Sequence, residues 1–154
     1  MKIGLGFDAH AFDAARPLVL GGVMVPGSPG LAGHSDADVV SHALGDALLG
    51  AANLGDLGGM FPPTEAWRDA SSLEILASSA AAARDAGWKL VNADVTVIAE
   101  RPRLGSYRSE MAARVAEALG ADPASISVKA TTTDGLGFTG RGEGIAAIAV
   151  VLLE

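Results

Sequence analysis

The chain has 154 residues, a formal net charge of −7 and no cysteine. The acidic balance argues against a nucleic-acid-binding protein, because such proteins carry clusters of Lys and Arg. The absence of cysteine excludes disulfides, iron–sulfur clusters, thiolate zinc sites and a cysteine nucleophile. No uncharged apolar run reaches the ~20 residues that span a bilayer, and Asp8 follows the N-terminus too closely for a signal peptide. We therefore expect one cytoplasmic domain over residues 1–154.

The N-terminal part of the chain predicts a strand and a hairpin. Ile and Leu alternate with Gly over residues 3–7, which predicts a strand whose end presents Asp8 and His10. Two apolar runs within residues 16–26 are separated by a Gly-Gly pair, which predicts a β-hairpin. Residues 27–30 are rich in Gly and Pro and predict a turn-rich connection.

The middle of the chain predicts two helices separated by a loop. Apolar side chains recur at helical spacing after Ser35, which is available as the N-cap, and this helix should end near Leu54. Residues 56–63 have the composition of a loop. Ser71 and the Glu three residues after it match a capping box, which predicts an Ala-rich helix that ends at Gly87.

The C-terminal part alternates between strand and helix patterns. Residues 90–99 predict a strand, and the apolar spacing after Pro102 predicts a helix that Gly120 closes. Residues 126–130 and 145–153 predict two further strands. The predicted fold class is α+β, with a mixed four-stranded sheet backed by helices and an N-terminal hairpin.

Asp8, His10 and His42 are the strongest candidates for chemistry. Residues two apart on a strand project from the same face, so Asp8 and His10 leave the strand together. With His42 they would give a divalent transition metal three ligands and leave a fourth position open, as a catalytic zinc requires. Asp38 and Asp46, one turn before and after His42, could hold its second nitrogen. An exposed strand-end histidine and a helix histidine without a metal explain the spacing equally well.

Two segments have residues suited to phosphate. Gly33–Asp38 opens the predicted helix, where backbone N–H groups bind anions and where His34 and Ser35 would add donors. Thr131–Gly144 combines hydroxyls, Gly and Arg, which suit the close approach of a phosphate. The alternatives are a plain N-cap and a strand-connecting loop. Asp56 is either a turn-forming residue or a group that orients a substrate hydroxyl or diphosphate.

The motifs occur in the order found in one enzyme family. The resemblance runs from Lys2 to near the C-terminus and is carried by Gly6-Phe7-Asp8-x-His10, Gly33-His34-Ser35-Asp36-x-Asp38, His42-Ala43-x-x-Asp46, Gly55-Asp56-x-Gly58, Phe61-Pro62 and residues 129–144. In these motifs the chain resembles the 2-C-methyl-D-erythritol 2,4-cyclodiphosphate synthases of non-mevalonate isoprenoid biosynthesis. The resemblance implies a phosphorus–oxygen lyase that cyclises 4-diphosphocytidyl-2-C-methyl-D-erythritol 2-phosphate and releases CMP. It also implies a homotrimer whose sheets surround a central axis and whose active sites lie at subunit interfaces.

The resemblance implies a set of metals and catalytic groups. Zn²⁺, or a similar divalent transition metal, would be held by Asp8, His10 and His42. Mg²⁺ or Mn²⁺, bound with the substrate diphosphate, would be held by Asp134. His34 and Thr132 would stabilise the charge that develops in the transition state. The substrate contacts that the resemblance implies, besides these, are Asp8, His10, Ser35, Asp56, Leu57, Gly58, Phe61, Ala99, Arg103, Gly105, Thr131, Thr133, Asp134, Phe138 and Arg141.

Two other functions stay open from the sequence. A metal phosphohydrolase would use zinc-bound water on a nucleotide diphosphate, and a non-catalytic trimer would bind small ligands in a central cavity. A serine hydrolase is unsupported because no Gly-x-Ser-x-Gly elbow occurs. The product formed from the cytidyl substrate distinguishes the three remaining possibilities.

Overall fold

A five-stranded mixed sheet forms the main layer of the protein, and the hairpin lies apart from it. The computed structural model describes the backbone of residues 1–154 and every side chain except that of Ala66. The sheet has the order β4-β1-β7-β5-β6, in which β5 and β6 are parallel and the other neighbours antiparallel. The strands are β1 (Lys2–Asp13), β2 (Val19–Leu20), β3 (Val23–Met24), β4 (Gly30–Leu31), β5 (Leu90–Ile98), β6 (Ile126–Thr131) and β7 (Gly144–Leu153), of which β2 and β3 form the hairpin.

Two long helices cover one face of the sheet, and a third packs on them. The helices are α1 (Val39–Ala52), α2 (Leu57–Met60), α3 (Ser72–Asp85), α4 (Arg108–Leu119) and α5 (Gly137–Gly140), with 3-10 turns at Glu65–Trp67 and Pro123–Ser125. Helix α1 packs on β1 and β7, α4 packs on β6, and α3 lies against both helices. Among the described residues, no helix combines the length and apolarity needed to cross a membrane. The α+β class and the mixed sheet are confirmed.

The alternation of Gly with Ile and Leu in β1 has a packing cause. Gly4 and Gly6 face α1, and a Cβ at either position would overlap a backbone carbonyl oxygen of Ala47 or Ala43. The strand and the helix therefore approach each other backbone to backbone. The larger apolar residues of the strand point to the opposite face, which leaves that face uncovered: Ile3 is 74 % exposed, Leu5 69 % and Phe7 55 %.

The sheet has a fifth strand where the sequence predicts a turn. Residues Gly30 and Leu31 pair with the end of β1, because β1 continues to Asp13 rather than ending before Asp8. Gly30 permits the backbone of Pro17 to come close, since a Cβ there would overlap the Pro17 carbonyl oxygen. The prediction of a turn over residues 27–30 is therefore wrong at Gly30, which belongs to a strand. Asp8 and His10 lie within a strand, and their shared face is confirmed by their positions in the site.

The first helix begins three residues later than predicted. Ala37 has a φ of 58°, which breaks the helical path, and the N-cap is Asp38 rather than Ser35. The Asp38 carboxylate accepts hydrogen bonds from the backbone N–H groups of Val40 and Ser41. The Asp38 side chain thus caps the helix N-terminus, and phosphate binding by His34 and Ser35 beside it stays a prediction.

The other helices agree more closely with the sequence. Helix α3 follows Ser71 and ends before Gly87, although the Ser71 hydroxyl caps no N–H group of the helix. Helix α4 is closed by Gly120 in the left-handed conformation, as predicted. The short helices α2 and α5 lie in segments for which the sequence predicts loops, and Gly fills half of each.

Candidate active site

Asp8, His10 and His42 converge at one end of a cleft. The Oδ2 atom of Asp8 lies 3.1 Å from the Nε2 atom of His10 and 3.1 Å from the Nδ1 atom of His42. One ligand atom from each of the three side chains lies within 4.8 Å of the other two. Strand β1 supplies the first two residues and helix α1 the third, so the close packing of β1 on α1 determines the separation of the three ligands.

The electrostatics of the three groups are those of a preformed cation site. Burial opposes ionisation of Asp8, but the imidazoles of His10 and His42 outweigh burial and hold the pKa of Asp8 well below its usual range. Burial also opposes the charged form of His42, yet Asp8 raises the pKa of His42 above its ordinary value, with smaller contributions from Asp38 and Asp36. In the absence of a metal, the Asp8 carboxylate therefore favours the charged form of His42, with which it can pair.

The donor set fits a divalent transition metal. The Nε2 atom of His10 is buried and makes no hydrogen bond to any described residue, although Asp8 lies beside it. A metal between the three side chains would satisfy that nitrogen. Two imidazole nitrogens and one carboxylate oxygen form a typical protein ligand set for catalytic zinc, with a fourth position left open. The structure thus supports a divalent-metal site at the three predicted residues.

Two serine hydroxyls, not the predicted carboxylates, contact the second nitrogen of His42. Its Nε2 atom lies 2.9 Å from the Oγ atom of Ser72 and 3.2 Å from that of Ser35. Asp38 is fully buried and instead accepts hydrogen bonds from Gly21 and Gly22 N–H, both at 2.8 Å. Burial raises the pKa of Asp38, and these hydrogen bonds oppose the rise.

Asp46 also bonds elsewhere. Its Oδ1 atom accepts a hydrogen bond from the N–H of Leu57 at 2.8 Å, which fixes the start of α2 at the wall of the cleft. The prediction that Asp38 or Asp46 contacts the second ring nitrogen of His42 is therefore wrong. Both residues have the helical spacing for such a role, but each carboxylate is occupied by backbone N–H groups.

The cleft beside the three ligands has a volume of about 260 Å³. It contains eight of the predicted metal and substrate residues and the predicted partner Asp46, together with residues that the sequence did not single out. The lining residues are Asp8, His10, His34, Ser35, His42, Leu57, Gly58 and Phe61, joined by Asp46, Pro63, Trp67 and Ile75. The Nε2 atom of His34 lies 2.7 Å from the carbonyl oxygen of Thr64, which orients the ring, and Trp67 packs edge-on against Phe61. Asp56 lies outside this lining and caps α2 by accepting from Gly59 N–H.

A second cleft, of about 980 Å³, lies between the residues after β5 and the end of β6. Its distinguishing feature is a set of three arginines, Arg101, Arg103 and Arg108, which line it together with Glu100 and mostly uncharged residues. The predicted residues Ala99, Arg103, Gly105, Thr131 and Thr132 all line it. This composition suits a phosphorylated ligand, because guanidinium groups and backbone N–H groups pair with phosphate oxygens.

Glu100 organises the loop that carries Asp134. Its Oε1 atom accepts hydrogen bonds from the N–H groups of Thr133 and Gly135, each at 3.1 Å. Between them, Asp134 adopts the left-handed conformation with a φ of 53°. The Thr133 hydroxyl donates to the carbonyl oxygen of Leu136, so it is engaged within the loop. Sequence reasoning missed Glu100, although an acid directly after a predicted strand was a signal for it.

The two clefts share no lining residue within one chain. Phe138 and Arg141 line neither of them: Phe138 is 40 % exposed, and Arg141 is exposed and paired with Glu143. The predicted residues therefore fall into three groups, one at the metal ligands, one at the arginine-rich cleft and one on the surface near α5.

The fold and the three clustered side chains define the class, an α+β protein with a candidate divalent-metal site beside a cleft. A model of the YgbB family matches residues 1–154, and the chain belongs to that family. The 2-C-methyl-D-erythritol 2,4-cyclodiphosphate synthase of Moorella thermoacetica is 57 % identical over 154 residues, which cover 99 % of this chain and 94 % of the relative. The family resemblance seen in the sequence motifs is thereby confirmed.

Solved structures agree with the family assignment. The bifunctional IspDF from Campylobacter jejuni matches 99 % of this chain with a TM-score of 0.95 and 44 % identity. This chain spans only 42 % of that bifunctional protein. A CDP-bound structure of a 2C-methyl-D-erythritol-2,4-cyclodiphosphate synthase matches 99 % of both chains with a TM-score of 0.90 and 35 % identity.

Proposed function

We propose that the protein converts 4-diphosphocytidyl-2-C-methyl-D-erythritol 2-phosphate into 2-C-methyl-D-erythritol 2,4-cyclodiphosphate and CMP. The observation that carries the proposal is the cluster of Asp8, His10 and His42 beside a cleft, in a chain 57 % identical to a synthase of that name. The reaction would supply isoprenoid precursors by the non-mevalonate route. A chain without cysteine is compatible with a reducing cytosol, which is where we propose that the reaction occurs.

The proposed chemistry needs no protein nucleophile. An oxygen of the 2-phosphate forms a bond to the β-phosphorus, the bond from that phosphorus to the α-phosphate oxygen breaks, and the oxygen leaves on CMP. Because both reacting groups belong to one molecule, the tasks of the protein are to fold the substrate and to neutralise its charge. Clefts lined by imidazole, hydroxyl and guanidinium groups suit those two tasks.

The metal assignment is part of the proposal. Asp8, His10 and His42 would hold Zn²⁺ or a similar ion, and Asp134 in its exposed loop offers an oxygen ligand of the kind that Mg²⁺ or Mn²⁺ prefers. When bound, such ions supply Lewis-acid polarisation of phosphate oxygens. His34, oriented through Thr64, and Thr132, on the second cleft, would stabilise oxygens that gain charge during the reaction.

The substrate parts would divide between the two clefts. Ser35, Leu57, Gly58 and Phe61 would surround the phosphorylated erythritol, with Asp56 shaping the α2 turn from outside. The arginine-rich cleft, with Ala99, Arg103 and Gly105, would take cytidine and its phosphates, and a homologous synthase has been solved in a CDP-bound form. Because one chain does not join the clefts, we propose a homotrimer in which each site combines the metal cleft of one subunit with the arginine-rich cleft of its neighbour.

Product analysis in ¹⁸O-labelled water tests the proposed function. A cyclase takes no oxygen from water, so we expect CMP and an unlabelled cyclic diphosphate from the wild-type protein. His42→Ala should lose both the metal and CMP release, and an exposed-site variant such as Glu117→Gln serves as the control. Label in the erythritol product would establish the phosphohydrolase instead, and no turnover by metal-loaded protein would leave the non-catalytic binding protein.

A further inference from the structure

His42 is held from two sides by different parts of the chain. Its Nδ1 atom faces Asp8 of β1 at 3.1 Å, on the side of the candidate metal site. Its Nε2 atom faces the hydroxyl of Ser72, the first residue of α3, at 2.9 Å. Ser72 is completely buried, so no solvent competes for this contact. The imidazole ring is thus fixed between the metal ligands and the start of another helix.

Ser72 is itself bonded to a carboxylate. Its hydroxyl donates to the Oδ1 atom of Asp36, and its backbone N–H donates to the Oδ2 atom of the same residue at 3.1 Å. A carboxylate only accepts hydrogen bonds, and a serine hydroxyl has a single proton to donate. Since that proton points to Asp36, the Ser72 oxygen presents only lone pairs to His42. The proton of this contact must therefore lie on the Nε2 atom of His42.

A proton on the Nε2 atom determines the state of the other ring nitrogen, Nδ1. A neutral imidazole has one protonated and one bare nitrogen, and only the bare nitrogen binds a metal. With the proton kept on Nε2, the bare nitrogen is Nδ1, which faces Asp8 and His10. We propose that Ser72 and Asp36 are positioning residues that hold His42 in the tautomer and orientation needed for metal binding through Nδ1. This proposal rests on the proposed metal site, and it assigns a role to two residues that are not themselves metal ligands.

Ser35 offers a weaker second acceptor. Its Oγ atom lies 3.2 Å from the same Nε2 atom, but it also accepts the backbone N–H of Ala37 at 3.2 Å. Loss of the Ser72 hydroxyl therefore leaves one longer contact to His42. We expect substitution of Ser72 to weaken metal binding rather than to abolish it.

Zinc affinity, measured by competition with a chelator, tests the proposal without an activity assay. Removal of such an outer partner of a metal-bound histidine costs about 10- to 100-fold in metal affinity, and we expect Ser72→Ala to lie in that range. Asp36→Asn keeps the shape of the side chain, but its amide can donate to Ser72 and free the hydroxyl proton to point at Nε2. We expect a loss of zinc affinity of similar size in this variant.

Two other serines, at the start of α3 and within it, provide matched controls. Ser71→Ala removes the hydroxyl of the residue next to Ser72. Ser79→Ala removes a hydroxyl that is as buried as that of Ser72 but donates to the Ile75 carbonyl oxygen within α3. Both should keep the wild-type zinc affinity. If Ser72→Ala fails to fold, the shape-conserving Asp36→Asn decides. Wild-type zinc affinity in Asp36→Asn and in folded Ser72→Ala would overturn the proposal.

Nitrogen-15 NMR of the zinc-loaded protein, with labelled histidine, reads the tautomer directly. We expect the metal on Nδ1 of His42 and a proton on its Nε2 atom, and a loss of this single pattern in Asp36→Asn. Zinc on Nε2 would overturn the proposal. Because neither measurement uses the substrate, a protein that binds zinc as described but releases no CMP would refute the proposed function while supporting these two residue roles.

Discussion

At the scale of single residues, Asp8 and His42 link protonation to stability. In the metal-free protein the Asp8 carboxylate lies 3.1 Å from the His42 imidazole in a partly buried setting, and the two form an ion pair when His42 is protonated. Asp8 has a lowered pKa, so its contribution is present above the ordinary pKa of Asp and is lost as the pH falls through the lowered value. His42 has a raised pKa, so its contribution is complete below the ordinary pKa of His and is lost as the pH rises through the raised value.

The pair therefore predicts a pH window for the metal-free protein. We expect the contribution of the pair to be greatest between about pH 4 and pH 6.5 and to decline above that range. Thermal unfolding in the presence of a chelator should show the melting temperature falling on the alkaline side. Asp8→Asn should remove most of that decline, whereas Glu117→Gln, an exposed carboxylate change, should leave it in place. An alkaline decline of equal size in Asp8→Asn would contradict the prediction.

At the scale of elements, the contact between β1 and α1 sets the spacing of the metal ligands. Gly6 lies where a Cβ would overlap the carbonyl oxygen of Ala43, one residue from His42. Gly6→Ala should push the helix away from the strand and lower the free energy of unfolding by about 3 kcal/mol, since overpacking typically costs 1–3. It should also weaken zinc binding, because Asp8 and His42 lie on the two elements that separate.

Gly50, on the helix that Gly6 faces, gives a control of opposite sign. No atom lies within 4 Å of a Cβ built on Gly50, which is exposed near the end of α1. Gly50→Ala should therefore raise the free energy of unfolding by roughly 0.5–1 kcal/mol through helix propensity alone and leave zinc affinity unchanged. Chemical denaturation measures both variants. A neutral effect of Gly6→Ala would show that the packing between strand and helix yields more readily than the structure indicates.

The elements also show what the sequence could and could not predict. The ligands Asp8, His10 and His42 were identifiable because strand and helix periodicity and the family motif agree on them. The start of α1 was not, because Ser35 and Asp38 are both good N-caps, and only the left-handed Ala37 decides between them. The partner of His42 was not predictable either, because Ser72 meets it through the packing of α3 on α1, which no local pattern encodes.

At the scale of the whole molecule, the uncovered apolar face of the sheet predicts an interaction with another protein surface. Ile3, Leu5 and Phe7 lie beside Ile148 and Val150 of β7, and all five are exposed in the single chain. A contiguous apolar sheet face of this kind marks an interaction surface. The proposed trimer would cover it with the same face of two other subunits. Sedimentation at micromolar protein should give a trimer, and a stable monomer would contradict the shared site.

The proposed division of the site between subunits predicts complementation. His42→Ala damages only the metal cleft and Arg103→Ala only the arginine-rich cleft, so each variant alone should lose most CMP release. If each site uses the metal cleft of one subunit and the arginine-rich cleft of its neighbour, mixed trimers contain sites with both clefts intact. Random reassembly of equal amounts, after unfolding and refolding together, should restore about a quarter of the wild-type sites.

The complementation experiment has two controls. Each variant refolded alone should stay inactive, and so should a mixture of the two folded variants, as long as subunits do not exchange between trimers. Sedimentation of the refolded mixture shows whether trimers have re-formed. If one chain provided a complete site, every chain in the mixture would carry a defect in its own site, and no activity would return. Restored CMP release from re-formed trimers thus depends on the separation of the two clefts, because only a site shared between neighbouring subunits can combine an intact cleft from each variant.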